Sequence, residues 1–289
     1  NRFTDGMKKW VYVPLQVFFL WDFHVLALLE RWQRRCRKHA REWFEALGEL
    51  EALSSLGALA HDNPGWVFPT VEIGNFKGIE SQGLGHPLLT DEARVPNDVT
   101  LGPPGTCLFV TGSNMSGKTT LLRSLGVNIV LAQAGAPVCA AQLTMSPLEL
   151  ATVVHVEDSL VGGISMFMAA LYRLKPVVES ARRLSGQPDR TLVYLLDEVM
   201  QGTNPLERKV AARKVLGHLL AEGAIGAVSS HDVELASTDP LAEACTAVHF
   251  RESIESCCEG PRMTFDYKMY PGVATSTNAL RLLKLVGLD

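Results

Sequence analysis

The sequence is poor in features that would place it in several common classes. Its six cysteines stand at 36, 107, 139, 245, 257 and 258, without a Cys-x-x-Cys pair or histidines at zinc-finger spacing. That spacing indicates neither a structural zinc site nor a disulfide scaffold, and it fits a reducing compartment. Positive charge is not in excess: 27 Lys and Arg stand against 31 Asp and Glu, a formal charge of -4. No whole-molecule field therefore holds nucleic acid, and any DNA contact must be local. Low-complexity segments and internal repeats are missing. An uninterrupted apolar run of the roughly 20 residues that cross a bilayer is missing too. The uncharged stretch from Trp10 to Trp21 is interrupted by Pro14 and Gln16, and Asp22 and His24 follow it. It predicts a buried or interfacial helix, with a membrane-proximal segment as the alternative.

What is present is ordinary globular composition, 47% hydrophobic and 20% charged over 289 residues, enough for one large or two modest domains. The chain starts at Asn1, which suggests that the natural protein has more sequence upstream. Arg31, Arg34, Arg35, Arg37, Lys38 and Arg41 form a basic cluster directly after the apolar run. Such a cluster suits the cytoplasmic side of a membrane anchor, a solvated helix face or a contact to a few DNA phosphates. From Asp22 to about Ala60 good helix formers run without a proline, with Trp43, Leu47, Leu50, Leu53 and Leu56 at steps of three to four residues, and this predicts one long helical arm. His61-Asp-Asn-Pro-Gly65 reads as a stop and turn. We place the domain boundary there, with a helical arm over 1–62 and an α/β domain over 63–289. In the latter, apparent strands at Cys107–Thr111, Thr191–Leu196 and Ala224–Ser229 alternate with helical patterns, as in a largely parallel sheet.

The most specific chemical signal is Gly112-Ser113-Asn114-Met115-Ser116-Gly117-Lys118-Thr119 followed by Thr120, a full GxxxxGK[ST] phosphate loop between a strand and a helix. Glycines let the backbone wrap phosphates, and the helix start favours negative charge. Lys118 reaches the β- and γ-phosphates, and the Thr119 hydroxyl ligates Mg2+. A second strand, Thr191-Leu-Val-Tyr-Leu-Leu, ends in Asp197 and Glu198. Its carboxyl edge is where nucleotides bind in open α/β sheets. The spacing suits Asp197 to hold magnesium and Glu198 to deprotonate the attacking water. His231 follows a third apolar strand, placed to contact the γ-phosphate or that water.

These residues resemble the ATPase domain of the MutS family, domain V of the DNA mismatch repair proteins, which shares its nucleotide-site design with ABC ATPases. The Asn114-Met115 pair makes the phosphate loop more specific than the generic pattern. Asp197-Glu-Val-Met-Gln-Gly-Thr-Asn204 is similar to the family's Asp-Glu and following Gly-Thr turn, and Ser229-Ser-His-Asp-Val-Glu-Leu235 to its switch-histidine segment. His86-Pro87 and Val95-Pro-Asn-Asp98 resemble the segment near the nucleotide base. Asp158 to Phe167 is similar to the family's counterpart of the ABC signature, in which Ser165 would reach the γ-phosphate of the other subunit; this chain has Met166 where the family usually has threonine. Phe265 to Gly272, Asn278 to Leu280 and Val286 to Leu288 resemble the closing part of the domain.

An N-terminal mismatch-reading module, a connector domain and a helix-turn-helix dimerisation segment are not recognised. The helical arm resembles a remnant of the lever between clamp and ATPase. With the apolar run ahead of it, the chain is most similar to a divergent bacterial branch with a hydrophobic N-terminal region. The resemblance implies an ABC-ATPase-like phosphate-loop fold and an ATP- and Mg2+-dependent hydrolase that forms a homodimer over two nucleotides. It also implies double-stranded DNA and a MutL-like protein as partners, in the cytoplasm. The alternatives are an ATPase at the cytoplasmic face of a membrane acting on a protein partner, and a nucleotide-binding scaffold without turnover.

Overall fold

A computed structural model describes residues 2–74, 77–154, 166–187, 189–198, 204–257 and 260–274. Contacts within the chain divide it into two units, Asn1–Ala58 and Leu59–Asp289.

The first unit is helical. Helix α1 (Arg2–Phe19) ends at Leu20, whose left-handed backbone (φ 49°, ψ 46°) separates it from α2 (Trp21–Cys36). The two helices meet at a bend of 79°. Among the described residues no single helix is long and apolar enough to cross a membrane, whereas the bent pair taken together passes on length and composition. A turn at Arg37–His39 then precedes α3 (Ala40–Asp62), so the uninterrupted helix expected from Asp22 to Ala60 is in fact two helices. The break falls where the basic run does. Arg34 and Arg35 occupy the last turn of α2, where cations meet the negative end of the helix dipole. His39 opens the next helix, its Nδ1 3.0 Å from Glu42 Oε2. No residue of α2 or α3 is buried.

The second unit is mixed α/β. Its larger sheet holds β4 (Cys107–Thr111), β6 (Leu148–Val154), β7 (Thr191–Asp197), β8 (Ile225–Ser229), β9 (Cys245–Cys257) and β10 (Gly260–Pro271), in the order β10-β9-β4-β8-β7-β6. Every pairing is parallel except β9 with β10. The three strands named from the sequence are β4, β7 and β8, and each is buried along its whole length, as continuous apolar runs must be when helices cover both faces. On one face α4 (Lys118–Gln133) packs Leu121, Leu122, Leu125 and Ile129 against Leu108, Val110, Val193 and Leu195. On the other, α5 (Met166–Leu184) and α6 (Pro205–Ala221) pack Leu174, Val177, Leu216 and Leu219 against Phe109, Tyr194 and Leu196. Gly226 is required there, since a Cβ would lie 2.3 Å from the Tyr194 carbonyl oxygen and 2.4 Å from its ring.

Two features were not foreseen. A separate four-stranded sheet, β1 (Thr70–Val71), β5 (Gln142–Met145), β2 (Ile79–Leu84) and β3 (Asn97–Leu101), pairs antiparallel on both sides of β2. In addition, Cys107 and Cys245 form a disulfide, with Cα atoms 4.6 Å apart. The cysteine spacing, which indicates no disulfide scaffold, did not reveal this pair. The two residues are register partners in the parallel β4–β9 ladder, a proximity that a sequence separation of 138 residues conceals.

Candidate nucleotide site

The loop Gly112–Gly117 joins the buried strand β4 to the start of α4. Gly112 has φ 143°, and a Cβ there would lie 2.8 Å from Ser116 Oγ and 3.2 Å from the Phe250 carbonyl oxygen. Gly117, at φ 112°, is the N-cap of α4, so the positive end of that helix faces the loop. Asn114 and Met115 are exposed at its tip, with Met115 at φ 66°. Ser113 Oγ and Ser116 Oγ are buried without a hydrogen-bond partner. Unsatisfied buried hydroxyls are costly, and beside a helix start with a buried lysine they suit a bound anion.

Lys118 is 4% exposed. Its Nζ donates to the carbonyl oxygens of Gly112 (2.9 Å) and Ser113 (2.8 Å). Burial pushes its pKa below the usual lysine range, opposed by the nearby carboxylates of Glu198 and Asp197. Thr119 is half-buried and Thr120 exposed on the first turn of α4.

The parallel register brings the carboxyl ends of β4, β8 and β7 side by side, pairing Val110 with Ser229 and Ser229 with Asp197. Asp197 is buried and its Oδ1 accepts from the Ser229 hydroxyl. The next residue, Glu198, turns out of the strand with φ 47°, and its backbone N–H donates to Ser229 Oγ at 3.1 Å. Glu198 Oε1 then lies 3.7 Å from Lys118 Nζ and 2.8 Å from His231 Nε2. Lys118, Glu198 and His231, named separately from three motifs, thus form one contact chain.

Among the described residues no group of three or more His, Cys, Asp or Glu could hold a metal by itself. Magnesium commonly needs only one or two protein oxygens, with substrate phosphates and water completing its shell. Asp197 and Thr119 supply donors of that kind, one from the end of β7 and one from the first turn of α4.

Several other anticipated residues fall elsewhere. Ser165 and the rest of 155–165, Gly202-Thr203, and the segment 275–289 with Asn278 to Leu280 and Val286 to Leu288 lie outside the described residues. Asn204 caps α6, its side chain accepting from the Glu207 N–H at 2.8 Å. In the segment expected near the nucleotide base, His86 Nδ1 accepts from the Leu88 N–H at 3.2 Å. Burial and the charges of Arg123 and Arg94 lower the His86 pKa. Asn97 ties that segment to β10, donating to the Tyr267 carbonyl (3.0 Å) and accepting from the Met269 N–H (2.7 Å).

Sequence reasoning passed over three residues. Ser229 couples Asp197 to the Glu198 backbone, a role set by strand register. Asn128, fully buried on α4, donates to the carbonyl oxygens of Gly85 (3.0 Å) and Ser124 (2.8 Å) and accepts from the Cys139 N–H (2.7 Å). A polar residue inside an apolar helix pattern was its signal. The Tyr267 ring stands near Gly117, 3.4 Å from where a Cβ would be, and its left-handed backbone (φ 54°) left no trace in the sequence.

A parallel-rich sheet, a glycine loop running into a helix and a buried lysine facing the ends of the neighbouring strands define an α/β domain of the phosphate-loop kind. Residues 108–289 match the family MutS domain V, and the chain belongs to the MutS family. It is 34% identical over 251 residues to DNA mismatch repair protein MutS 2 of Halobacterium salinarum, covering 84% of this chain and 27% of that protein. It is 30% identical over 283 residues to DNA mismatch repair protein MSH6 of Arabidopsis thaliana, covering 91% and 20% respectively. With Endonuclease MutS2 of Thermomicrobium roseum it shares 31% identity over 251 residues, covering 76% and 31%. The matched stretch is therefore less than a third of each of these relatives.

Proposed function

We propose that the chain is an ATP-binding and ATP-hydrolysing switch of the ABC-ATPase-like type, with its ATPase domain over 63–289 and a helical arm over 1–62. The observation that carries this reading is the contact chain Lys118–Glu198–His231, at 3.7 and 2.8 Å, at the mouth of a loop with two unpartnered serine hydroxyls. The backbone of Gly112 to Thr119 cradles the phosphates of ATP and Thr120 extends that helix start. Lys118 meets the β- and γ-phosphates. Glu198 takes the proton of the attacking water, and His231 holds the Glu198 carboxylate in line. Asp197 and Thr119 hold Mg2+, which screens phosphate charge when bound. Ser229 is a positioning residue, holding Asp197 and Glu198 in fixed relation.

In this reading Ser165 completes the site of a second copy, so ATP favours a homodimer by binding the closed form more tightly. The relatives' names, with DNA mismatch repair in several of them, support DNA as a partner; that the DNA is double-stranded and the location cytoplasmic belongs to the same proposal. A MutL-like protein is the proposed downstream partner. The test is steady-state ATP hydrolysis across protein concentration, with and without duplex DNA at low salt. Turnover per chain that rises steeply with concentration and with DNA is expected. Concentration-independent turnover removes the composite site, and indifference to DNA removes DNA as the effector.

A further inference from the structure

We propose that the bent pair α1–α2 is a membrane-docking wedge that seats its bend in one leaflet of an anionic bilayer. This goes beyond the nucleotide reading and does not depend on it. At the bend Val17, Phe18, Phe19, Leu20, Trp21 and Phe23 are all exposed, Phe18 at 78% and Phe19 at 65%. The apolar surface continues along one side of α2, where Trp21, Val25, Leu28, Leu29 and Trp32 recur at helical spacing. Leu28 also lies on the stripe of His24, Arg31 and Arg35, so the arginines border the apolar side directly. Aromatic and aliphatic residues flanked by arginines, whose long stems let the charge reach the headgroups, suit a helix lying at a lipid interface.

The polar residues that interrupt the apolar run are turned towards one another. The Tyr12 hydroxyl donates to Asp22 Oδ2 at 2.6 Å, and the Asp22 N–H donates to Gln16 Oε1 at 3.0 Å. These contacts hold the inside of the bend and satisfy groups that lipid could not. The outside of the bend is left apolar.

Charge indicates which surface receives it. The first 41 residues hold nine Lys and Arg against three Asp and Glu, although the whole chain is at -4. The basic residues lie away from the bend, Lys8 and Lys9 early in α1 and Arg31 to Arg41 beyond the middle of α2. A bent pair brings both ends to the same side, where anionic headgroups attract them. The apolar arm Val11–Phe19 is roughly 14 Å long at about 1.5 Å per residue, close to half of a hydrocarbon core about 30 Å thick. That length suits insertion into one leaflet. A DNA backbone would neutralise the arginines but leave the aromatic bend in water.

The experiment floats the full chain with vesicles of phosphatidylcholine, with and without phosphatidylglycerol, and follows Trp fluorescence with brominated lipids. The expected result is flotation with the anionic vesicles and quenching by bromines at shallow acyl positions. The double variant Phe18→Asp/Phe19→Asp should bind at least about tenfold less, with ATP turnover unchanged. Arg34→Glu/Arg35→Glu should weaken binding to anionic vesicles and reduce its salt dependence. Absence of flotation overturns the proposal. So does unchanged binding of the Phe18/Phe19 variant, which would mean surface adsorption by charge alone. Duplex DNA binding lost in the arginine variant without any vesicle binding assigns the surface to nucleic acid. A dimer that the Phe18/Phe19 variant dissolves, again without vesicle binding, assigns it to a second copy. Bromine quenching is read on the unaltered chain, so misfolding of a variant does not leave the question open.

Discussion

In the α/β unit every residue of β4, β7 and β8 is buried, and in the helical unit no residue of α2 or α3 is. Both regions are rich in Leu, Val and aromatics, so composition does not separate them. The difference lies in what each can cover with its own chain. Parallel strands with helices on both faces enclose their apolar side chains. A bent pair and a third helix leave theirs outward, which marks a surface made for contact.

The largest effect that sharpens this contrast is chemical. Glu198→Gln should lower ATP turnover by about 10²- to 10⁴-fold, as removal of a general base does, while ATP affinity by calorimetry stays close to the parent and the helical unit is untouched. Parent-rate turnover would take Glu198 out of the base role. Next comes a pair of glycines. Gly226→Ala, which forces a Cβ against Tyr194, should cost about 3 kcal/mol in denaturant unfolding. Gly48→Ala in α3, with nothing within 4 Å of its Cβ, should add about 0.5–1 kcal/mol of helix stability. Equal effects of the two would break the distinction between the units.

A smaller effect is expected at Ser229. Ser229→Ala removes the donor to buried Asp197 and should lower turnover by roughly tenfold, equivalent to about 1.4 kcal/mol on the barrier. Ser229→Thr should recover part of it, and a full loss of ATP binding in the alanine variant would point to misfolding. The smallest effect concerns pH. The folded pKa of His86 is lowered, so the native state holds that proton less tightly than the unfolded chain. The stability that neutral His86 contributes is present above about pH 6.5 and is lost as pH falls through the lowered folded value. His86→Gln should flatten the decline of melting temperature in that window.

Much of the site was legible because its signals are local. Gly112 to Thr119 is contiguous, and β4, β7 and β8 are unbroken apolar runs that end at the candidate site residues. What escaped depends on register and on distant parts of the chain. Ser229 is one hydroxyl among many until β8 is laid beside β7. Cys107 and Cys245 meet only through the β4–β9 ladder. In the small sheet β1 has two residues, and β2 and β3 alternate buried with exposed residues instead of forming continuous apolar runs. The break at Arg37–His39 sits among good helix formers, where propensity has nothing to stop on. Asn97 and Tyr267 meet only because β3 and β10 come together.

The Lys118 ammonium is already occupied, bonded to the carbonyl oxygens of Gly112 and Ser113. In the proposed function, a phosphate entering the loop must outcompete the protein's own backbone for two of the three ammonium protons. Small anions offer little in exchange, while a triphosphate can also engage the serine hydroxyls and the helix start. In the proposed function the loop's self-contact is thus a threshold that favours a triphosphate over smaller anions.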